Sequence, residues 1–298
     1  PAQSTFRGCR HHVCTATPIP FPLFQHRSEA REELLAGPIR GELLGAEHLA
    51  DRARAIASGQ RLARIGPGRR RRALLTRLND TRRILDDAHT RLAAATAADV
   101  DIGPAGEWLL DNFHIVQEHI REVRESLPRG YYQELPELAS GGLAGYPRVY
   151  ELAITLISHT EGRIDLDNVD LFVEAFQRVS PLSIGELWAV PAMLRLGLIE
   201  SVRRMALRTV QRLDELETAD AWAGRILASS ELGAAALGRT LDAFVLSHPP
   251  LTAIFVSHFL HQLRLSRGAF PPLVWLEHWI GEEALNAEDA AARSTQRL

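Results

Sequence analysis

The sequence predicts an all-α fold: an irregular multi-helix bundle with a long Tyr-, Gly- and Pro-containing loop and a central helix kinked at proline. Three observations predict it. Leu109, Phe113, Val116, Ile120, Val123 and Leu127 recur at intervals of 4, 3, 4, 3 and 4, the period of one helix face. Ser183-x-x-Glu186 reads as a capping box that opens a second long periodic stretch. No convincing run of alternating apolar and polar residues, and no internal repeat, interrupts the helical pattern.

Residues 1–40, with Pro18, Pro20, Pro22 and Pro38, carry neither period and are expected to form an irregular tail. Helices are expected near Glu42 to Gln60 and Ala73 to Ala97, a basic hairpin region spanning 41–103, divided by Gly66-Pro67-Gly68 and Arg69 to Arg72. The main helical domain is expected over 104–298. It starts with Pro104 in the first turn of the seam helix, where a missing N–H costs nothing. After a Pro- and Gly-rich connection come helices near Arg148 to His159 and Asp167 to Val179, the second closed by Ser180-Pro181.

The capped helix then runs from Ser183 to about Glu217. Leu187, Pro191, Leu194, Leu198, Val202, Met205, Thr209, Leu213 and Leu216 mark one face, while Trp188, Leu196 and Ile199 point elsewhere. Apolar residues on more than one side predict a central helix. Pro191 predicts a kink, because its ring removes a donor and clashes with the carbonyl of Leu187. Shorter helices follow near Asp220 to Ala228, Ala234 to Leu246, Pro250 to Leu265 and Pro271 to Glu283.

Composition limits function. The 298 residues are 46% hydrophobic and 24% charged, enough for a sizeable core. The net charge of -3 is uneven: 17 arginines face 11 acids before residue 104, and 17 face 26 after it. All the basic residues are arginine, which fits a GC-rich genome. The four adjacent arginines 69–72 lack interleaved aromatics and read as a solvated loop, so no nucleic-acid partner is expected. No apolar run reaches the roughly 18 residues of a membrane span. The first residues lack the basic-then-apolar order of a signal peptide, which sets cytoplasmic residence as the expectation. Cys9 and Cys14, the only cysteines, make no disulfide framework, and with His11 and His12 they form only a loose zinc pattern.

Several constellations carry chemistry in principle. All four tyrosines, Tyr131, Tyr132, Tyr146 and Tyr150, fall within twenty residues of one another, beside Arg129, Arg148, Glu134 and Glu137. Such rings stack on sugar faces while the neighbouring charges bond hydroxyls; they equally wedge a loop against a bundle. Gly141-Gly142 with Gly145 offers amides to a phosphate, or positive φ to a turn. Asp165-Leu-Asp167 has the aspartate pair of many glycosyltransferases, or supplies a helix N-cap. Asp111-x-x-His114 and His258-x-x-His261 have the spacing of bundle metal ligands, which gives a metal-dependent helical enzyme as an alternative reading. Ser158-His159 is no nucleophile and base by adjacency alone, and there is no Gly-x-Ser-x-Gly elbow. No catalytic residue and no metal ligand is assigned.

Longer blocks are more specific. Glu107-Trp-Leu-Leu-Asp-Asn-Phe-His, Leu127-Pro-Arg-Gly-Tyr-Tyr-Gln-Glu-Leu-Pro, Gly145-Tyr-Pro-Arg-Val-Tyr, His159-Thr, Pro181-Leu-Ser-Ile-Gly-Glu-Leu-Trp and Met193-Leu-Arg-Leu-Gly-Leu-Ile-Glu follow in order. Together they resemble the N-terminal region of bacterial cyclic β-1,2-glucan synthases, from about Pro38 to about Glu283. That resemblance implies a parent enzyme at the inner membrane. It joins this region to a membrane-embedded glycosyltransferase that uses UDP-glucose, a cyclising domain and a phosphorylase-like domain, which are the partners expected here. The product is a periplasmic cyclic glucan.

The chain departs from the family by lacking every catalytic part, including a Gln-x-x-Arg-Trp motif. The expectation is therefore a non-catalytic helical domain, fragmentary or separately encoded, with no cofactor of its own. It organises the synthase or holds β-1,2-glucan at Tyr131, Tyr132, Tyr146, Tyr150, Arg129, Arg148 and Glu134. A scaffold that binds only protein partners is the remaining alternative.

Overall fold

The computed structural model describes residues 42–63, 73–265 and 272–282. The N-terminal tail with its cysteines and histidines, and the arginine run 69–72, lie outside the described residues. Within them all regular structure is helical: α1 Ala46–Gly59, α2 Ala73–Ala97, α3 Gly103–Ser126, α4 Arg129–Glu134, α5 Arg148–His159, α6 Leu166–Gln177, α7 Ile184–Glu231, α8 Ala234–Leu246, α9 Ala253–Leu265 and α10, residues 272–282. The all-α expectation holds.

Helix α7 organises the bundle. At 48 residues it extends roughly 70 Å at the usual rise per residue, and α2, α3, α5, α8 and α9 all pack along it, while α1 rests on α6 and α5. Its N-terminus closes as the capping box that the sequence predicts: the Ser183 hydroxyl accepts from Glu186 N, and the Glu186 carboxylate accepts from Ser183 N. The helix passes Pro191 and continues past Glu217, absorbing the segment expected as a separate helix from Asp220. The reason is that Thr218-Ala-Asp contains no breaker, and buried Ala219, Ala223 and Ile226 carry the seam onward.

Two apolar clusters lie along α7. The first joins α1–α3 and α5–α6 to its N-terminal half and includes Leu109, Val116, Ile120, Val123 and Leu127 from the α3 seam, with Phe113 packed at the edge. The second is aromatic and surrounds the C-terminal half. Phe244 stacks on Phe259 at 5.0 Å and meets Trp222 and Trp279 edge-on at 5.3 and 5.5 Å. Each such ring buries about 150–250 Å², which lets short helices α8 to α10 hold to one long one.

Helix α6 starts where Asp165 caps it. One carboxylate oxygen accepts from Asn168 N at 2.7 Å and the other from the Asn168 side-chain amide at 2.7 Å. No described helix is long and apolar enough to cross a membrane.

Candidate functional site

The tyrosine-bearing segment begins as a single short helix, α4, which the sequence reading takes as loop. Pro128 supplies its extended N-terminal residue, and Leu135 and Tyr132 go into the core. The chain then runs extended between two neighbours. On one side Ala63 N donates to Glu137 O at 2.8 Å and Ala139 N to Arg61 O at 2.7 Å; on the other Leu138 N donates to Tyr146 O at 2.9 Å and Arg148 N to Pro136 O at 2.9 Å. Gly141 and Gly145 adopt φ of 89° and 84° and turn the chain back. The glycines serve the turn, since a side chain strains that conformation.

Arg148 is the polar centre of this segment, and it faces inward. It is 5% exposed. Its Nε donates to Glu186 Oε1 at 2.5 Å and Nη2 to Glu186 Oε2 at 2.9 Å, while Nη1 reaches Ser180 Oγ at 2.7 Å and Nη2 the Pro181 carbonyl at 2.8 Å. The guanidinium carbon also sits 5.8 Å from the centre of the Phe176 ring. A planar fork meeting a carboxylate is the geometry that arginine provides and lysine does not. Burial pushes the Glu186 carboxyl up, but hydrogen bonds from Arg148 and Ser183, with the charge of Arg148, outweigh it and hold the group below the usual 4.5.

The tyrosines divide. Tyr132 is buried, and burial pushes its hydroxyl up to about 12. Tyr150 is also buried and stacks on Tyr146 at 5.4 Å; burial and the nearby Glu200 charge raise its hydroxyl well above the ordinary range. Tyr146 is half-buried. Tyr131 is half-buried too, and its hydroxyl donates to the Gly185 carbonyl in the first turn of α7. Glu134 is exposed. Arg129 opens α4, but its side chain lies outside the described part. The seven predicted residues thus share one segment. Tyr131, Tyr146 and Glu134 reach its surface, whereas Arg148, Tyr132 and Tyr150 are inside.

Beneath Tyr150 lies a polar cluster that the sequence reading does not single out. Glu200 of α7 is fully buried and receives Arg77 Nε at 2.9 Å, Arg77 Nη2 at 3.1 Å and Thr81 Oγ1 at 3.0 Å, all from α2, with Arg203 Nη2 at 2.6 Å. Burial disfavours the charge on Arg77, yet Glu200 more than compensates and raises its pKa; burial dominates at Arg203 and lowers it. The signal in the sequence is a glutamate inside the apolar run Leu194 to Val202, opposite an Arg–Thr pair four residues apart on α2.

The other constellations are spent locally. Asp165 is the α6 cap. Ser158 Oγ donates to Thr155 O at 2.8 Å, and His159 Nδ1 lies 2.8 Å from Glu42 O, so serine and histidine do not meet. His258 pairs with Asp220 at 2.7 Å on the C-terminal half of α7, whereas Asp111 and His114 belong to α3. Among the described residues no three His, Cys, Asp or Glu side chains gather as metal ligands. The geometry holds elements together through buried ion pairs and leaves a half-buried aromatic edge, Tyr131 and Tyr146, beside them.

No protein-family profile matches the chain. A curated relative does: the cyclic beta-(1,2)-glucan synthase NdvB of Rhizobium meliloti (strain 1021) is 34% identical over 215 residues, which is 70% of this chain. The chain spans 7% of the length of that protein. The resemblance to cyclic β-1,2-glucan synthases carried by the sequence blocks is borne out, over a small part of such an enzyme.

Proposed function

We propose, from this kinship with one segment of a cyclic β-1,2-glucan synthase, that the chain serves as a non-catalytic helical domain. It organises the glycosyltransferase and the other synthase domains, or holds glucan while they build it. UDP-glucose is then consumed by the parent enzyme and not by these residues, and the domain reaches the inner membrane through that enzyme.

One observation supports the reading: the buried charged groups of the family-like blocks are committed to internal contacts. Arg148 and Ser183 both bond Glu186, Glu200 is surrounded, and Tyr131 is tied to Gly185. A domain whose charged groups are used this way is a rigid support; reacting groups need access to a substrate. The surface left for glucan is Tyr131, Tyr146 and Glu134, fixed from beneath by Arg148, Tyr132 and Tyr150.

Calorimetric titration of the purified chain with linear and cyclic β-1,2-glucan tests the glucan arm, and co-purification with a tagged synthase tests the organising arm. Binding in either experiment supports the proposal. A chain that ignores glucan yet holds the synthase is a scaffold for protein alone. Failure in both overturns the proposal. Tyr131→Ala must be tested apart from Tyr132→Ala, because Tyr132 is core and its loss lowers stability whatever it does to binding.

A further inference from the structure

The first turns of α7 present an apolar strip that the fold does not use. Ile184 is 71% exposed and Trp188, one turn on, is 76% exposed; Pro191 continues the strip outward. Tyr131 stands beside it. Gly185 lies between Ile184 and Trp188 in sequence, and a Cβ placed there would be 3.7 Å from Tyr131 Cε2, so the phenol ring leans on the helix at the one position without a side chain. Its hydroxyl, bonded to the Gly185 carbonyl, fixes the ring's orientation.

Ionised groups bound the strip. Arg195, two turns beyond Trp188, is 3.2 Å from Glu122 of α3, which in turn takes His119 at 3.1 Å. Glu134 stands one turn after Tyr131 on α4.

We propose that Trp188, with Tyr131 beside it, is a stacking platform for glucopyranose rings of a β-linked glucan. This rests on the glucan-holding arm of the proposed function and assigns it a residue. The shape of the patch selects the ligand class. A stable protein contact covers about 800 Å² on each partner, some 20–30 residues with an apolar centre, whereas three apolar side chains between carboxylates and a guanidinium are far smaller. A pyranose needs only that: its C–H face lies on an indole, and its hydroxyls find charged partners at the edge. An indole this exposed contributes nothing to the core, so its substitution is separable from folding.

The test uses the full chain titrated with linear and cyclic β-1,2-glucan, alongside melting curves. Trp188→Ala is expected to weaken glucan binding at least tenfold with an unchanged melting temperature. Trp188→Phe, which keeps an aromatic face, is expected to retain most of the affinity. If the parent chain binds glucan and Trp188→Ala binds equally well, the platform assignment is overturned while the glucan-holding reading stands. If the parent chain binds no glucan, both fall. Should Trp188→Ala release a synthase partner while glucan affinity stays unchanged, the strip is a protein contact and the proposal is again overturned.

Discussion

Arg148→Met keeps an unbranched apolar stem but removes the guanidinium from its buried pair with Glu186. The variant loses two charge-assisted bonds of 2.5 and 2.9 Å to the carboxylate and the donors to Ser180 Oγ and Pro181 O. Glu186, 1% exposed, then keeps only its bonds from Ser183. Breaking one side of a buried ion pair costs about 3–5 kcal/mol, because a charge stays in the interior without its partner. For a domain of this size that lowers the melting temperature by about 6–20 °C.

The pH dependence distinguishes this cause from simple loss of packing. In the parent protein the Glu186 carboxyl is held below 4.5. Its contribution is therefore complete above that unfolded value and is lost as pH falls through the lower folded one. In Arg148→Met burial, the largest influence, is opposed only by the bonds from Ser183, and the folded value rises. Protonation then favours the folded form, and the stability gap between the two proteins narrows as pH falls from 7 toward 4.5. Adding Glu186→Gln to Arg148→Met replaces the stranded charge with a neutral amide and is expected to recover at least about 1 kcal/mol. Urea unfolding at a series of pH values measures all three. A loss under about 1 kcal/mol, or a gap that stays constant with pH, refutes the buried-pair reasoning.

Two further perturbations follow from the same packing. Gly197→Ala places a Cβ against Ile157 Cδ1 where α5 crosses α7; overpacking of about 1–3 kcal/mol outweighs the helix-propensity gain of about 1 kcal/mol. Adding Ile157→Val removes the offending methyl, so a double variant no more stable than Gly197→Ala in thermal melts contradicts this contact. Asp165→Ala removes the α6 cap and is expected to cost about 1 kcal/mol, while Asp165→Asn retains most of it. Equal melting temperatures for Asp165→Ala and the parent would mean that the cap contributes nothing.

The fold was largely legible because helix ends are written in local chemistry. α2, α5 and α8 occupy the expected residues, each bounded by Gly, Pro or an irregular stretch. The length of α7 was not legible, because its seam passes onto alanines: Ala219 and Ala223, 0% and 2% exposed, look like surface residues in a sequence and act as core only where another helix comes close. α4 was missed since six residues between prolines carry no period. The candidate site was legible as a location but not as an arrangement. Arg148 and Glu186 are 38 positions apart, and nothing local tells a charged residue that its partner will arrive from there. Read singly, each belongs on the surface. The pair is what allows both inside.

That same pair joins two of the separated blocks of sequence. Arg148 lies in the Gly145 to Tyr150 block and Glu186 in the Pro181 to Trp188 block, and in the structure these blocks are two halves of one contact. The carboxylate that receives Arg148 also accepts from Ser183 N, so the ion pair and the helix cap share one group. Tyr131 adds a third element by bonding Gly185 within the same turn. The first turn of α7 is therefore fixed from the cap, from α5 and from α4, and Trp188 begins the next turn. Pre-organisation reduces the ordering cost of binding, so an exposed indole on a turn pinned at three points is a better platform than the same indole on a loop. The platform assignment thereby predicts that Arg148→Met, far from any sugar, weakens glucan binding in proportion to the α7 cap it unsettles. Glucan affinity left intact in a folded Arg148→Met protein would sever that link between the interior and the surface.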